Sequence, residues 1–80
     1  MTRPKQGVPQ ITKSPFKQMR LDAQLSQEAL AQKIGVAVST IRRWEKGLAE
    51  PTMTVVQLKG FLNAVNVNFQ ELPDSLLPVN

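Results

Sequence analysis

The chain has 80 residues with a net charge of +4 and an isoelectric point of about 10.0, a length that allows one domain with a small core. It has no cysteine and no histidine, which excludes disulfides, thiol chemistry, histidine bases and the usual zinc sites. No apolar run approaches the roughly 20 residues of a membrane span, and the N-terminus lacks the apolar stretch of a signal peptide, so we expect a cytoplasmic protein that does not enter membranes.

Residues 1–13 are predicted to form a flexible basic arm. They contain two prolines and a glycine, and their apolar residues follow no period. The charged side chains of this arm are Arg3, Lys5 and Lys13, all of them positive. Such an arm either follows a DNA groove or backbone or is a solvated tail without function. The basic balance of the whole chain is equally compatible with a nucleic-acid partner and with a solubilising surface.

The first helix is predicted to begin at Ser14-Pro15. Serine is a good N-cap, and proline suits the first helical position because its missing N–H would have no partner there. The helix is expected to run to residue 22 or 23, with Phe16 and Met19 facing the core.

Residues 25–47, LSQEALAQKIGVAVSTIRRWEKG, are predicted to form two short helices joined by a tight turn. Ser26 caps the first of them, and Gly35 ends it because glycine adopts positive φ at little cost. The second runs from about Val38 to Lys46, with Ile41 and Trp44 on its inner face. Its other face carries hydroxyls and cations, namely Ser39, Thr40, Arg42, Arg43 and Lys46. Such a helix suits a DNA groove, where hydroxyls reach base edges and arginines bind guanine or phosphate.

A fourth helix, capped by Thr52 or Thr54, is predicted to run to about Val65. Glycine inside a helix costs up to about 1 kcal/mol relative to alanine, so Gly60 indicates a close packing neighbour. Asn66 is expected to end this helix in the left-handed conformation, and a short fifth helix to cover residues 69–72 before Pro73. The tail, residues 73–80, either packs on the core, packs on a partner subunit or frays.

Together these elements predict an all-α fold in which residues 14–72 form the domain. Its apolar core is expected to contain Phe16, Met19, Leu30, Ile34, Val36, Ile41, Trp44, Leu58, Phe61, Leu62 and Val65.

The segment from about residue 16 to residue 72 resembles the phage-repressor/Cro helix-turn-helix family, also called the xenobiotic-response-element class. The resemblance rests on Leu25-Ser26-Gln27-Glu28, Ala31, Gly35-Val36, Ser39-Thr40-Ile41 and Glu45-Lys46-Gly47, which fall at the family's spacing. It implies a five-helix lambda-repressor-like domain that binds double-stranded DNA sequence-specifically as a transcriptional regulator, such as a repressor, with no cofactor and no metal.

The resemblance also implies roles for single residues. The family reads bases from positions held here by Val38, Ser39 and Arg43. Contacts to phosphate or base are expected from Gln27, Thr40, Arg42 and Lys46. Arg20 and Glu45 match a pair of charges that links the first and third helices in the family.

The chain departs from the family pattern at four places. Gln24 replaces a frequent glycine, Ala37 replaces a serine N-cap, and Val38 replaces a glutamine that would bond Gln27. The loop at residues 48–50 has no cation where family members are more polar or basic. We therefore expect Lys46 and the backbone amides that follow Gly47 to meet the DNA backbone there.

The composition also bears on two functions other than DNA binding. An antitoxin-like or adaptor module that binds a protein partner stays open, because the net charge is modest and the 48–50 loop is apolar and acidic. Whether the protein binds DNA as a homodimer also stays open. An enzyme is not expected, since six scattered acids without histidine or cysteine form no catalytic constellation.

Overall fold

A computed structural model of the protein describes residues 12–78. Within that range the chain is all-helical, as predicted, and contains no strand. The elements are α1 (Pro15–Asp22), α2 (Gln27–Ile34), α3 (Val38–Glu45), α4 (Val55–Val65) and one 3-10 turn (Phe69–Glu71). None of these helices combines the length and the apolar character needed to cross a membrane.

The predicted fifth helix is wrong in type, because Phe69–Glu71 is a single 3-10 turn. Leu72 is extended, with φ −65° and ψ 137°. Proline disfavours the helical region for the residue that precedes it, so Pro73 ends the helical turn at once. The Glu71 carboxylate accepts a hydrogen bond from the Asn68 backbone N–H at 2.9 Å, which stabilises the turn locally. The described domain therefore has four α-helices.

Hydroxyl side chains start three of the four helices. Ser14, Ser26 and Thr54 each accept a hydrogen bond from the backbone N–H three residues later, at 3.0–3.1 Å. Gln57 also accepts the Thr54 backbone N–H at 2.9 Å, which completes a capping box and selects Thr54 over Thr52 as the cap. Ala37 caps α3 without a side-chain hydrogen bond, as its methyl group requires. Packing must therefore fix the start of α3.

The end of α1 shows how the chain replaces a glycine. Gln24 has φ +60°, in the left-handed region that favours glycine. Its N–H donates to the Leu21 carbonyl at 2.9 Å, and the Leu25 N–H donates to the Arg20 carbonyl at 3.1 Å. These two bonds form the Schellman motif that commonly ends helices. The departure from the family pattern is thus accommodated by a strained glutamine rather than by a different turn.

Replacing Gln24 with glycine is expected to stabilise the domain by about 0.5–1 kcal/mol. The left-handed conformation costs an L residue about 1–2 kcal/mol, and the greater freedom of glycine in the unfolded chain offsets about half of the gain. The matched control is Gln32→Gly in the exposed interior of α2, which should destabilise by about 1 kcal/mol. Urea melts of both variants measure the difference, and a Gln24→Gly variant less stable than the parent would contradict the interpretation.

The core lies where all four helices meet. Its fully or nearly buried apolar residues are Phe16, Leu30, Ala31, Ile34, Ile41, Trp44, Phe61 and Val65. Every residue predicted for the core either belongs to this group or packs against it. Phe16 is central, because its ring stacks on Phe61 at 4.9 Å between centroids and meets Trp44 edge-on at 5.5 Å. One aromatic side chain of α1 therefore contacts both α3 and α4.

Gly60 lies where α4 crosses α2. A Cβ atom at this position would come within 2.9 Å of the Lys33 carbonyl oxygen, closer than any real Cβ contact. The predicted close neighbour is thus confirmed, and it is the backbone of α2.

Two residues of the described tail lie close to the rest of the chain. Leu76 packs against the core, as does Leu72, which precedes the tail. The Pro78 ring lies next to Gly47, so that a Cβ atom on this glycine would be 3.2 Å from Pro78 Cγ. Leu76 and Pro78 thus have neighbours within the chain, whereas Pro73, Asp74 and Ser75 are exposed, and residues 79 and 80 lie outside the described range.

Candidate nucleic-acid interface

The turn between α2 and α3 fixes the direction of α3. Gly35 adopts φ +90°, and the Val36 N–H donates to the Ala31 carbonyl at 3.1 Å. The Val36 side chain packs against the core, so the turn is held from inside as well as by its backbone. On α3 itself, Ile41 and Trp44 are buried. The inner face of α3 is therefore fully used for packing.

The opposite side of α3 is exposed and positively charged. Four exposed side chains form it, and we term this surface the basic face: Ser39, Arg42, Arg43 and Lys46. Positions three, four and seven residues apart lie on the same side of a helix, so these side chains are neighbours. Val38 and Thr40, at the start of α3, are half-buried, and Val38 packs partly against the core. Val38 can thus offer only part of its side chain to a ligand.

A buried ion pair joins α3 to α1, as predicted from the family positions. Arg20 Nε donates to Glu45 Oε2 at 2.7 Å, and Arg20 Nη2 donates to Glu45 Oε1 at 3.1 Å. The two side chains are only 8% and 4% exposed. Arg20 Nη1 also donates to the Leu25 carbonyl at 2.8 Å. The planar guanidinium therefore holds the end of α3 and the α1–α2 turn in one geometry.

Gln27 extends this pair toward the basic face. Its Nε2 donates to Glu45 Oε1 at 3.0 Å, and its Oε1 accepts from Arg42 Nε at 3.3 Å. Arg42 Nη2 is also 3.5 Å from Glu28 Oε2, in a pair whose side chains are 48% and 70% exposed. The sequence predicted Gln27 only as a contact to DNA. Its bonds to Arg42 and Glu45 were not predicted. These residues lie 15 and 18 positions further along the chain, and no local sequence pattern relates them to Gln27.

The backbone amides at the C-terminal end of α3 donate hydrogen bonds within the chain, and one of them was expected to face DNA. Gly47, at φ +76°, donates its N–H to the Trp44 carbonyl at 3.1 Å. The Leu48 N–H donates to the Arg43 carbonyl at 2.9 Å. The expectation is thus wrong for the Leu48 amide, which a Schellman motif satisfies within the chain. Lys46 remains the exposed cation at this end of the helix.

The predicted arm contacts lie largely outside the described residues. Arg3 and Lys5 precede residue 12, where the structural description begins. Lys13 is described and is exposed next to the cap of α1. Across residues 12–78 no group of three or more acidic side chains is placed to hold a metal ion.

Comparison with known families agrees with this geometry. A family model described as helix-turn-helix matches residues 16–58, more than half of the chain. The chain belongs to the phage-repressor/Cro helix-turn-helix family. Domains of this helix-turn-helix family bind double-stranded DNA and regulate transcription, and they are not typically enzymes. No curated protein and no solved structure matches the chain.

Proposed function

We propose that this helix-turn-helix protein binds double-stranded DNA sequence-specifically as a transcriptional regulator, with α3 in the major groove. The observation that carries the proposal is the basic face, which presents three cations on a helix whose other side is fixed by packing and by the Arg20–Glu45 pair. A single α-helix fits the major groove of B-DNA. A regulator of this kind works in the compartment that holds the DNA, which agrees with the cytoplasmic location expected from the sequence.

Within this proposal the residues divide into two groups. Val38, Ser39 and Arg43 read base edges, and Thr40, Arg42 and Lys46 contact phosphate or base, while both polar groups of Gln27 bond to other side chains of the protein. Contacts to phosphate and the release of counterions supply most of the binding energy, but they carry no sequence information. Discrimination between sites then depends on the three base-reading side chains.

Exposed apolar side chains support a contact between two copies of the chain. Leu48, Val55, Val56 and Phe69 are large apolar residues that are 64–79% exposed. Leu48 follows α3 directly, and Val55 and Val56 begin α4. Helix-turn-helix dimers bind two DNA half-sites about 34–36 Å apart, and a homodimer formed through some of these residues would bind DNA in the same way. The same exposure keeps an antitoxin-like or adaptor module, which binds a different protein, as the alternative function.

Selection of bound sites from random double-stranded DNA with the full chain tests the function directly. We expect one sequence to be enriched, to bind in a salt-dependent mobility shift, and to contain inverted half-sites about 10 base pairs apart if the protein dimerises. A pull-down from the source cell lysate runs in parallel. If no sequence is enriched and a stoichiometric protein partner is recovered, the protein is an interaction module and not a DNA-binding regulator.

Removal of residues 1–11 tests the arm without disturbing the cap of α1. This deletion retains Thr12, whose Oγ1 accepts the Ser14 N–H at 3.2 Å, and removes only Arg3 and Lys5 among the arm's cations. The slope of log affinity against log salt should become shallower by about 0.9 for each phosphate that is no longer neutralised, and so by up to about 1.8. Lys13→Ala is the control for the remaining arm charge. An unchanged slope in the deletion variant would mean that Arg3 and Lys5 do not touch DNA.

A further inference from the structure

The Gln27 amide has one orientation available to it. Glu45 is a carboxylate with only 4% of its side chain exposed, and it already accepts two hydrogen bonds from Arg20. An ionised carboxylate only accepts hydrogen bonds, so the group of Gln27 that faces it at 3.0 Å must be the amide NH₂. The carbonyl oxygen of Gln27 therefore faces outward, toward α3.

The outward oxygen of Gln27 meets Arg42 at its Nε atom. The distance between these two atoms is 3.3 Å. Nε lies within the plane of the guanidinium and next to the aliphatic chain, so a bond at this atom restricts both the plane and the direction of the side chain. The other partner of Arg42 is Glu28, at 3.5 Å and 70% exposed, and pairs of that kind contribute little in water. Gln27 is thus the partner that can order Arg42.

We propose that Gln27 is a positioning residue for Arg42. Its amide bonds on one side to Glu45 of the buried Arg20–Glu45 pair and on the other side to Arg42, so that Arg42 is held in one conformation before DNA binds. The inference rests on the proposed function for its consequence, which is that Gln27 supports affinity through Arg42 and not by its own contact with phosphate. Ordering a long side chain in advance removes part of the entropy lost on binding. The neighbouring Arg43 lies about 100° further around α3, so the proposed ordering by Gln27 applies to Arg42 and not to Arg43.

Nuclear magnetic resonance of the free protein tests the positioning without DNA. We expect the Arg42 Nε–H signal to exchange slowly with solvent in the parent and in the control Glu28→Gln, which removes the ion pair but not the amide contact. Gln27→Leu, which keeps the side-chain volume but removes the acceptor, should bring this signal to the fast exchange of an exposed arginine. Fast exchange in the parent, or slow exchange in Gln27→Leu, would overturn the proposal.

Affinity for a selected DNA site tests the consequence by a double-mutant cycle. Gln27→Leu should weaken binding about 3- to 10-fold, and the same substitution in an Arg42→Ala background should have no further effect. Arg42→Lys, at an exposed position that does not threaten folding, keeps the charge without the planar group and should weaken binding by a similar factor. Additive effects of Gln27→Leu and Arg42→Ala, or parent affinity in Arg42→Lys, would overturn the proposal. A parent protein that binds no DNA would instead refute the proposed function, and the exchange measurement alone would then decide the positioning.

Discussion

Glu45→Ala is expected to lower the free energy of unfolding by about 3–5 kcal/mol. The substitution leaves the Arg20 guanidinium, 8% exposed, without the carboxylate that it donates to at 2.7 and 3.1 Å. Stranding one charge of a buried pair is among the most destabilising single changes, because the remaining charge stays desolvated. Domains of this size have about 5–15 kcal/mol of total stability, so a large part of it should be lost. Thermal and urea melts measure the effect.

Two matched variants test whether the loss of stability comes from the unpaired buried charge of Arg20 and not from the removal of an acidic residue as such. Glu50→Ala removes an exposed acid of the loop after α3 and should change stability by less than about 0.5 kcal/mol. The double variant Arg20→Met with Glu45→Leu removes both charges and should be more stable than Glu45→Ala alone. A melting temperature of Glu45→Ala within a degree of the parent would show that the pair does not link α1 to α3 in solution.

Arg43→Ala is expected to weaken binding to the best DNA site by about 1–3 kcal/mol and to have a much smaller effect on sites that differ at one base pair. Arg43 lies on the basic face and occupies a position that the family uses to read bases, and an arginine fork matches the two acceptors of guanine. The measurement is the affinity of parent and variant against a panel of single-base substitutions. The loss of discrimination should be confined to one base pair.

Lys46→Ala is the control for Arg43→Ala on the same helix. Lys46 is the C-cap residue of α3, and under the proposed function it contacts the DNA backbone rather than base edges. Its removal should weaken binding by a similar factor on every sequence and reduce the salt slope by about 0.9. If Arg43→Ala behaves in the same uniform way, then Arg43 is a phosphate contact and the base-reading role assigned to it is wrong.

The features that could be predicted from the sequence are those encoded by neighbouring residues. Caps at Ser14 and Ser26 need only a hydroxyl before an apolar period, and the structure confirms both. The core follows from helical spacing, and Gly60 indicated a close approach that the α2 backbone provides. The Arg20–Glu45 pair was predictable for a different reason, because the family resemblance placed both positions together across 25 residues.

The features that could not be predicted depend on geometry between distant elements. The left-handed φ of Gln24 is not favoured by its residue type, so only the fixed path from α1 to α2 explains it. Orientation of the Gln27 amide depends on a carboxylate that the chain supplies 18 residues later. Pro78 meets Gly47 only because the tail returns to α3, and no periodic pattern marks that return.

The position of Trp44 gives the protein an internal optical probe. It is the chain's single tryptophan, it is 4% exposed, and the edge-on ring of Phe16 lies against it. The indole sits on the side of α3 turned away from the basic face, so DNA bound there would not touch the fluorophore. Its emission therefore follows the packing of the domain interior, and changes in folding can be recorded separately from changes in ligand binding on the same sample.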